Sequence, residues 1–223
     1  MNLKQLINRF RRDALDLLDP PMCADGDITD WLNEAEREAA IRARLLLEDS
    51  NPSLCSIKVE AGTASYRLHP KVYEIAHQAF FPDATHSPCA LDIVTREKLD
   101  RVRPQWRELP ADDPRWIIQT DTAVRLVPVP FQGGVLRVEV YRLPMKDMCS
   151  PVDEPEIHEA HHIKLVQWAL FKAFSTPDSD LFDAARSQAA YLAFEGYFGV
   201  RPDVDLRRST RGDEAQTTVV QTF

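Results

Sequence analysis

The spacing of apolar residues changes twice along the chain, and this change restricts the fold more than any motif does. Toward both ends apolar residues recur every three or four positions, which is the period of an amphipathic helix. In the middle, short segments alternate apolar and polar residues with the period of a β-strand. Helical stripes from both ends must be buried together, so the sequence predicts an α+β fold. We expect a helical bundle built from N- and C-terminal helices, with an inserted antiparallel β region and an extended C-terminal arm.

Four helices are expected, over residues 3–18, 28–49, 155–174 and 178–198. The first two form an antiparallel hairpin in this interpretation, with Leu17 and Leu18 in the buried stripe of the first helix. The charged residues of the second helix, among them Glu36, Glu38 and Arg42, are expected on its outer side. The third helix has apolar residues on most sides and is expected to be central and buried.

Alternating segments in the middle of the chain predict the strands. Residues 56–60 and 65–68 predict a hairpin, residues 116–119 and 124–127 two strands around a turn, and residues 135–141 a further strand. Residues 71–81 fit either a strand or a short helix. Thr95 can cap one or two helical turns over residues 95–101.

The changes of period divide the chain into four expected segments. These are a helical hairpin over 1–54, a β-rich insertion over 55–148, helices over 149–200 that complete the bundle, and an extended arm over 201–223. The last seven residues of the arm have strong strand propensity. A segment of this kind either pairs with a partner as an added strand or is a disordered tail, and the pattern alone leaves both open.

The charge of the chain excludes several classes of protein. A net charge of −8 argues against a general nucleic-acid binder, which needs a basic surface, and against docking on anionic lipid. No apolar run approaches the ~20 residues of a membrane-spanning helix. The four cysteines form no CxxC pair, and we expect them to be reduced, as in a cytosolic protein.

No motif in the sequence carries recognisable catalytic chemistry. His158 and His162 are spaced i, i+4, so both rings could reach one metal ion, but the segment is not HExxH and no third ligand is evident. The acidic pairs at 112–113 and 153–154 adjoin prolines and are expected in solvated loops. We therefore predict no catalytic residue, no metal ligand and no cofactor. A small hydrolase or metalloenzyme built around the two histidines is the enzymatic alternative. Trp106 and Trp116 fit either interface anchors or core residues.

Seven segments, taken in order, resemble one known family. They cover residues 30–35, 66–68, 104–106, 124–130, 138–144, 154–162 and 194–202. In order and spacing they resemble the head-to-tail adaptor, or head completion, proteins of tailed bacteriophages. This group includes the tail accessory and gatekeeper proteins of short-tailed phages. None of the matching residues is a catalytic or metal-binding position of the family.

The resemblance implies a structural protein of the virion, present in the host cytoplasm during assembly. Such proteins form a twelve-fold ring beneath the portal protein, extend the DNA channel and give the next tail or nozzle protein its docking surface. DNA passes without sequence-specific binding, and no membrane is involved. Twelve copies at −8 each would bring about −96 charges to the ring, and this charge would repel the DNA.

The resemblance also implies a portal-binding role for the arm. The residues concerned are Arg207, Arg208, Arg211, Thr218, Val219, Val220 and Phe223. The arginines would form ion pairs, and the β-prone residues would add a strand to the portal. We expect the tail to dock on the loops 82–89 and 110–114, at Phe81, Asp83, His86, Asp112 and Asp113. The alternative is a non-ring scaffold or chaperone-like protein that binds one partner through this arm.

Overall fold

The computed structural model describes residues 1–83, 87–177 and 180–203. These residues form six α-helices and nine β-strands, which confirms the α+β class. The helices are α1 (Leu3–Ala14), α2 (Asp25–Ala43), α3 (Pro52–Cys55), α4 (Arg96–Val102), α5 (His162–Ser175) and α6 (Ala184–Phe198). The strands are β1 (Leu47–Glu48), β2 (Ser56–Val59), β3 (Ser65–Arg67), β4 (Val72–Pro82), β5 (Cys89–Ala90), β6 (Asp92–Ile93), β7 (Trp116–Gln119), β8 (Ala123–Val127) and β9 (Gly134–Arg142).

The chain forms two compact units. A helical unit contains Met1–Leu46 and Leu143–Arg201, and a β unit is built on Leu47–Arg142. Helices from both ends of the chain therefore share one unit. Among the described residues, no helix has both the length and the apolar composition needed to cross a membrane.

Helix α5 lies at the centre of the helical unit, as its apolar sequence predicts. It packs against α1, α2 and α6. The core around it contains large side chains with no exposed surface, including Leu6, Phe10, Ile28, Leu165 and Phe194. Leu6, Phe10, Ile28 and Leu165 lie in the apolar stripes that helical spacing predicts, whereas periodicity did not identify Phe194 as a core residue.

Helix α1 is shorter than predicted, ending at Ala14 rather than at residue 18. Leu15 adopts the left-handed conformation at φ 64°, and its N–H donates to carbonyls of the last turn. The carboxylate of Asp16 then accepts the N–H groups of Met22 and Cys23 at 2.7 and 3.2 Å, which draws the chain into a loop. Leu17 and Leu18, predicted in the core, are therefore exposed.

Helix α2 begins at Asp25 and ends at Ala43, six residues before its predicted end. Arg44 adopts the left-handed conformation at φ 51° and closes the helix, and its N–H donates to the carbonyl of Ala40. The chain then enters β1, so Leu47 belongs to a strand.

The prediction that Glu36, Glu38 and Arg42 lie on the outer side of α2 is wrong. All three are buried. The guanidinium of Arg42 lies 5.4 Å from the ring centroids of both Trp168 and Phe194, and its Nε lies 3.2 Å from Glu38. The ring of Tyr191 also lies within 5.6 Å, and an arginine with three aromatic neighbours and a carboxylate partner can be buried, because the rings and the carboxylate compensate for lost water.

The third helix starts at His162, seven residues later than predicted. A single 3₁₀ turn, Glu159–His161, precedes it. The preceding N–H groups are already engaged, since Glu36 accepts those of Glu156 and Ile157 at 2.5 and 3.2 Å. Helix α6 likewise starts late, at Ala184, where the side chain of Asp183 accepts the first free N–H groups. Gly199 ends α6 as predicted.

The β unit contains two sheets. One has the order β1-β9-β4-β5, with β2 also paired to β9, and the other has the order β3-β8-β7-β6. The segment 71–81, ambiguous in the sequence, is strand β4, which pairs antiparallel with β9 over nearly its whole length. Strands β7 and β8 pair around their turn as predicted. Strands β6 and β7 are parallel, so the inserted region is not entirely antiparallel.

The predicted hairpin between residues 56–60 and 65–68 does not form. Strand β2 pairs with β9, whereas β3 pairs with β8 in the other sheet. The hydroxyl of Tyr66 donates to the carbonyls of Glu60 and Thr63, at 3.0 and 2.7 Å. These hydrogen bonds hold the segment that connects β2 to β3. The connection therefore carries the chain from one sheet to the other.

Trp106 is a core residue. It is buried with Val94, Leu99 and Ile118, and its indole N–H donates to Asp100 at 2.8 Å. Trp116 is half-buried at the edge of the same cluster. This burial removes Trp106 from the candidate interface anchors.

Candidate functional site

Described residues of the two loops predicted to dock the tail come together in the β unit. Both hydrogen-bond to residues 129–133 in the connection between β8 and β9, which we name the Phe131 loop. The N–H of Asp112 donates to the carbonyl of Val129 at 3.0 Å, and the N–H of Asp83 donates to that of Gly133 at 3.0 Å. One backbone hydrogen bond each holds Asp83 and Asp112 against the Phe131 loop, so these residues and the loop form one surface.

The Phe131 loop carries an exposed aromatic residue. Phe131 is 53% exposed. On one side the amide of Gln132 donates to Asp113 at 3.2 Å, and on the other the N–H of Gly62 donates to the carbonyl of Pro130 at 2.8 Å. Because these hydrogen bonds already restrain the loop, a partner that binds the ring of Phe131 need not order the loop, and little conformational entropy is lost.

Three carboxylates lie on the segments that are hydrogen-bonded to the Phe131 loop. Asp83 and Asp112 are exposed, and Asp113 is half-buried. Arg115 lies 3.8 Å from Asp112, but both side chains are more than half exposed, so water and salt screen the pair. Burial and, second, the Asp113 carboxylate raise the pKa of the Cys89 thiol, which keeps that thiol neutral. The Phe131 loop and the segments bonded to it thus carry an exposed aromatic residue and three carboxylates, a composition suited to a basic partner with an apolar pocket.

Phe81, another predicted docking residue, does not join this surface. Phe81 is at the end of β4, where the guanidinium of Arg137 lies 4.6 Å from its ring centroid. There Phe81 lines a separate concavity of about 470 Å³ together with His77 and Ala79. His86 lies outside the described residues.

The predicted arm site lies outside the described residues as a whole. It comprises Arg207, Arg208, Arg211, Thr218, Val219, Val220 and Phe223.

The histidines of the helical unit are engaged in structural contacts. In buried His162, Nε2 lies 2.8 Å from the carbonyl of Ile157 and Nδ1 lies 2.8 Å from the amino group of Met1. Nδ1 of His158 accepts the N–H of Ala160 at 3.2 Å. Within the described part of the chain, no three His, Cys, Asp or Glu side chains are placed to hold a metal ion. This geometry gives no support to the metalloenzyme alternative.

The decisive comparison is with protein families. A family model described as SU10 adaptor protein matches residues 1–221. The chain belongs to the SU10 adaptor protein family. This is a family of phage head–tail adaptors, so the resemblance inferred from the sequence is confirmed. No curated protein matches the sequence.

Membership in the SU10 adaptor family bears on both candidate surfaces. The match includes the whole β unit with its Phe131 loop and nearly all of the predicted arm. The family is one of bacteriophage structural proteins and implies a virion component, which favours a non-enzymatic role. Phe131 itself was missed by the sequence reasoning. The available signal was an aromatic residue between two strands, in the segment Pro-Phe-Gln-Gly-Gly.

Proposed function

We propose that this chain is the structural head-to-tail connector of a phage virion, forming a ring under the portal protein that extends the DNA channel and docks the tail. The match of the SU10 adaptor family to residues 1–221 carries the proposal. The net charge of −8 supports a DNA conduit, because an acidic ring repels DNA and lets it pass without specific binding. A channel lined mainly by lysine and arginine would contradict this electrostatic argument.

In this proposal the C-terminal arm binds the portal. Three arginines, Arg207, Arg208 and Arg211, supply ion pairs, and the β-prone end of the arm, residues 218–223, adds a strand to the portal. The strand propensity of the last seven residues supports this role, because an extended segment can add a strand to an exposed sheet edge.

The Phe131 loop binds the next tail or nozzle protein. Phe131 acts as the anchor, because an aromatic ring that is half exposed in the free protein gains most when a partner pocket covers it. Asp83, Asp112 and Asp113 give the surface its acidic border and select a basic partner.

Two variants should separate these binding sites. Deleting residues 204–223 should abolish portal binding and leave tail-protein binding intact. Phe131→Ala should weaken tail-protein binding by about 30-fold, the loss expected for an interface anchor worth about 2 kcal/mol, and leave portal binding intact. The measurement is the affinity of each variant for the purified portal and tail proteins of the same phage.

The matched control for Phe131→Ala is Phe182→Ala. Phe182 is 54% exposed, almost as much as Phe131 at 53%, but belongs to the helical unit. The control should bind the tail protein as the native chain does. Unchanged tail binding by Phe131→Ala, or an equal loss in both variants, would contradict the assignment of the Phe131 loop. Full portal binding by the deletion variant would contradict the assignment of the arm.

A further inference from the structure

A group of cations lies on α4 and on the 3₁₀ turn Trp106–Glu108 that follows it. Residues 96–108 carry five basic and three acidic side chains, all of them exposed, in a chain whose net charge is −8. The basic ones are Arg96, Lys98, Arg101, Arg103 and Arg107, and the acidic ones are Glu97, Asp100 and Glu108. The segment is therefore locally positive, and we name residues 96–108 the arginine face.

Two indole rings hold guanidinium groups of the arginine face in place. The guanidinium of Arg107 lies over Trp106, 4.2 Å from the ring centroid. The guanidinium of Arg103 lies over Trp116, 5.7 Å from the ring centroid. A guanidinium that stacks on a ring keeps N–H groups free for oxygen acceptors. A partner with carboxylates therefore meets donors that are already oriented.

Most cations of the arginine face lack a carboxylate partner within the described part of the chain. Arg107 pairs with Asp100, and this contact lowers the pKa of the Asp100 carboxyl. Four cations form no ion pair with a described residue, namely Arg96, Lys98, Arg101 and Arg103. Glu97 and Glu108 offset only part of this charge. Exposed cations at this density favour an anionic partner.

The arginine face is continuous with the surface of the Phe131 loop. Arg103, Asp112 and Arg115 line one notch of about 130 Å³, together with half-buried Trp116 and apolar residues. Asp112 lies 3.8 Å from Arg115, and its N–H is bonded to the Phe131 loop. Cations and carboxylates thus lie side by side on one surface of the β unit.

The composition of the arginine face favours a protein over DNA as its partner. Val102, between Arg101 and Arg103, is 71% exposed. An apolar side chain gains free energy when another protein covers it and adds nothing to a phosphate contact. In the proposed function, moreover, DNA passes through the ring without being held, and arginines on its path would retain it. The protein assigned to the adjoining Phe131 loop is the tail or nozzle protein, so that protein is within reach.

We propose that the next tail or nozzle protein binds across Asp112, covers the arginine face as well as the Phe131 loop, and places carboxylates on the arginines. This inference rests on the proposed function and adds the chemistry of the partner, which presents an acidic patch beside its basic one. Adjacent patches of opposite charge fix the orientation of the tail protein, because turning it round would bring like charges together.

Reversing two charges of the arginine face tests this contact. Lys98→Glu with Arg101→Glu should weaken tail-protein binding at least about tenfold at low ionic strength, and less at high ionic strength, since salt screens exposed charges. Unchanged portal binding shows that the variant folds. The matched control is Lys4→Glu with Lys146→Glu, which changes the net charge equally at exposed positions of the helical unit. The control should bind the tail protein as the native chain does.

Carbodiimide coupling identifies the partner directly, because the reagent joins an amine to a carboxylate in contact with it. In the complex of the native chain with the portal and tail proteins, we expect the amine of Lys98 to couple to an aspartate or glutamate of the tail protein. Lys98→Gln should lose this product. Coupling of Lys98 to the portal or to a second copy of the chain instead would contradict the inference.

The outcomes separate this inference from the proposed function. Native tail-protein affinity in Lys98→Glu with Arg101→Glu, or an equal loss in the control, would overturn the inference, while a loss in Phe131→Ala would leave the proposed function standing. A short DNA duplex that binds the native chain but not this variant, with tail binding unchanged, would assign the arginine face to DNA and also overturn the inference. A native chain that binds no tail protein would overturn the proposed docking of the tail, and this inference with it.

Discussion

Replacing Glu36 by glutamine should remove a fall in stability of about 3 kcal/mol that the native protein undergoes as the pH rises from about 4.5 to about 7. Glu36 is 1% exposed. Burial, above all, raises the pKa of Glu36 from 4.5 to about 7, and the carboxylates of Glu156 and Asp147 raise it further, while the N–H groups of Glu156 and Ile157 oppose this rise.

The direction of this change in stability depends on whether the folded or the unfolded chain holds the proton. Between pH 4.5 and 7 the folded chain keeps the Glu36 proton and the unfolded chain has lost it, so folding binds a proton. The contribution of Glu36 is therefore fully present below pH 4.5 and is lost as the pH rises through 7. Glutamine retains an oxygen that can accept both N–H groups but does not titrate.

The measurement is the free energy of unfolding in urea at about pH 5 and about pH 8, for the native chain and for Glu36→Gln. The matched control is Asp30→Asn, which removes one exposed carboxylate from the same helix. The control should keep the pH dependence of the native chain, and Glu36→Gln should lack the fall of about 3 kcal/mol. Equal pH dependence in the native chain and in Glu36→Gln would show that this carboxyl is not the group responsible.

Gly134→Ala should destabilise the protein by about 3 kcal/mol, the upper range for forcing an extra methyl group into a packed site. Gly134 begins β9, opposite Pro82 at the end of β4. A Cβ at this position would lie 2.8 Å from the ring of Phe80, which has no exposed surface, and would meet the backbone carbonyl of Phe81. Neither neighbour is free to move, so β9 and β4 must separate.

The matched control is Gly196→Ala. Gly196 is exposed in α6, and a Cβ there would meet no atom within 4 Å. That substitution should stabilise the protein by about 0.5 to 1 kcal/mol, because alanine favours the helix. Both variants are compared by urea unfolding. A Gly134→Ala protein as stable as the native chain would mean that β4 and β9 do not approach as closely as described.

The sequence predicted the positions of helices and strands better than it predicted which strands pair. Period and turn residues located β7, β8, β9 and the central helix α5. Alternation along residues 56–68 also located β2 and β3, but it carries no information on which strand each one pairs with, and the predicted hairpin was wrong. The choice of partner depends on strands β8 and β9, which lie about 60 to 80 residues away.

Buried charges were the second source of error. Helical periodicity treats every charged residue as exposed, so Glu36 and Arg42 were placed outside. The N–H groups that Glu36 accepts come from residues 120 and 121 positions later in the chain, and the rings beside Arg42 belong to α5 and α6. Such compensation cannot be seen in a local pattern.

The candidate site was predicted in part. The acidic loops carrying Asp83, Asp112 and Asp113 were identified, but their meeting point was not, since it depends on hydrogen bonds to the Phe131 loop. Exposure of Phe131 depends on the same contacts. Leu17 and Leu18 were assigned to the core because they continue the stripe of α1, and only the turn at Leu15 places them outside.

The connector function is tested most directly by the native mass of the purified chain, alone and mixed with the portal protein of the same phage. We expect a small species alone and, on the portal, a complex that has gained about twelve copies of the chain. A portal ring that stays intact and binds no copy would contradict the connector function. A portal that binds only one or a few copies would contradict the ring and favour a non-ring scaffold or chaperone-like protein.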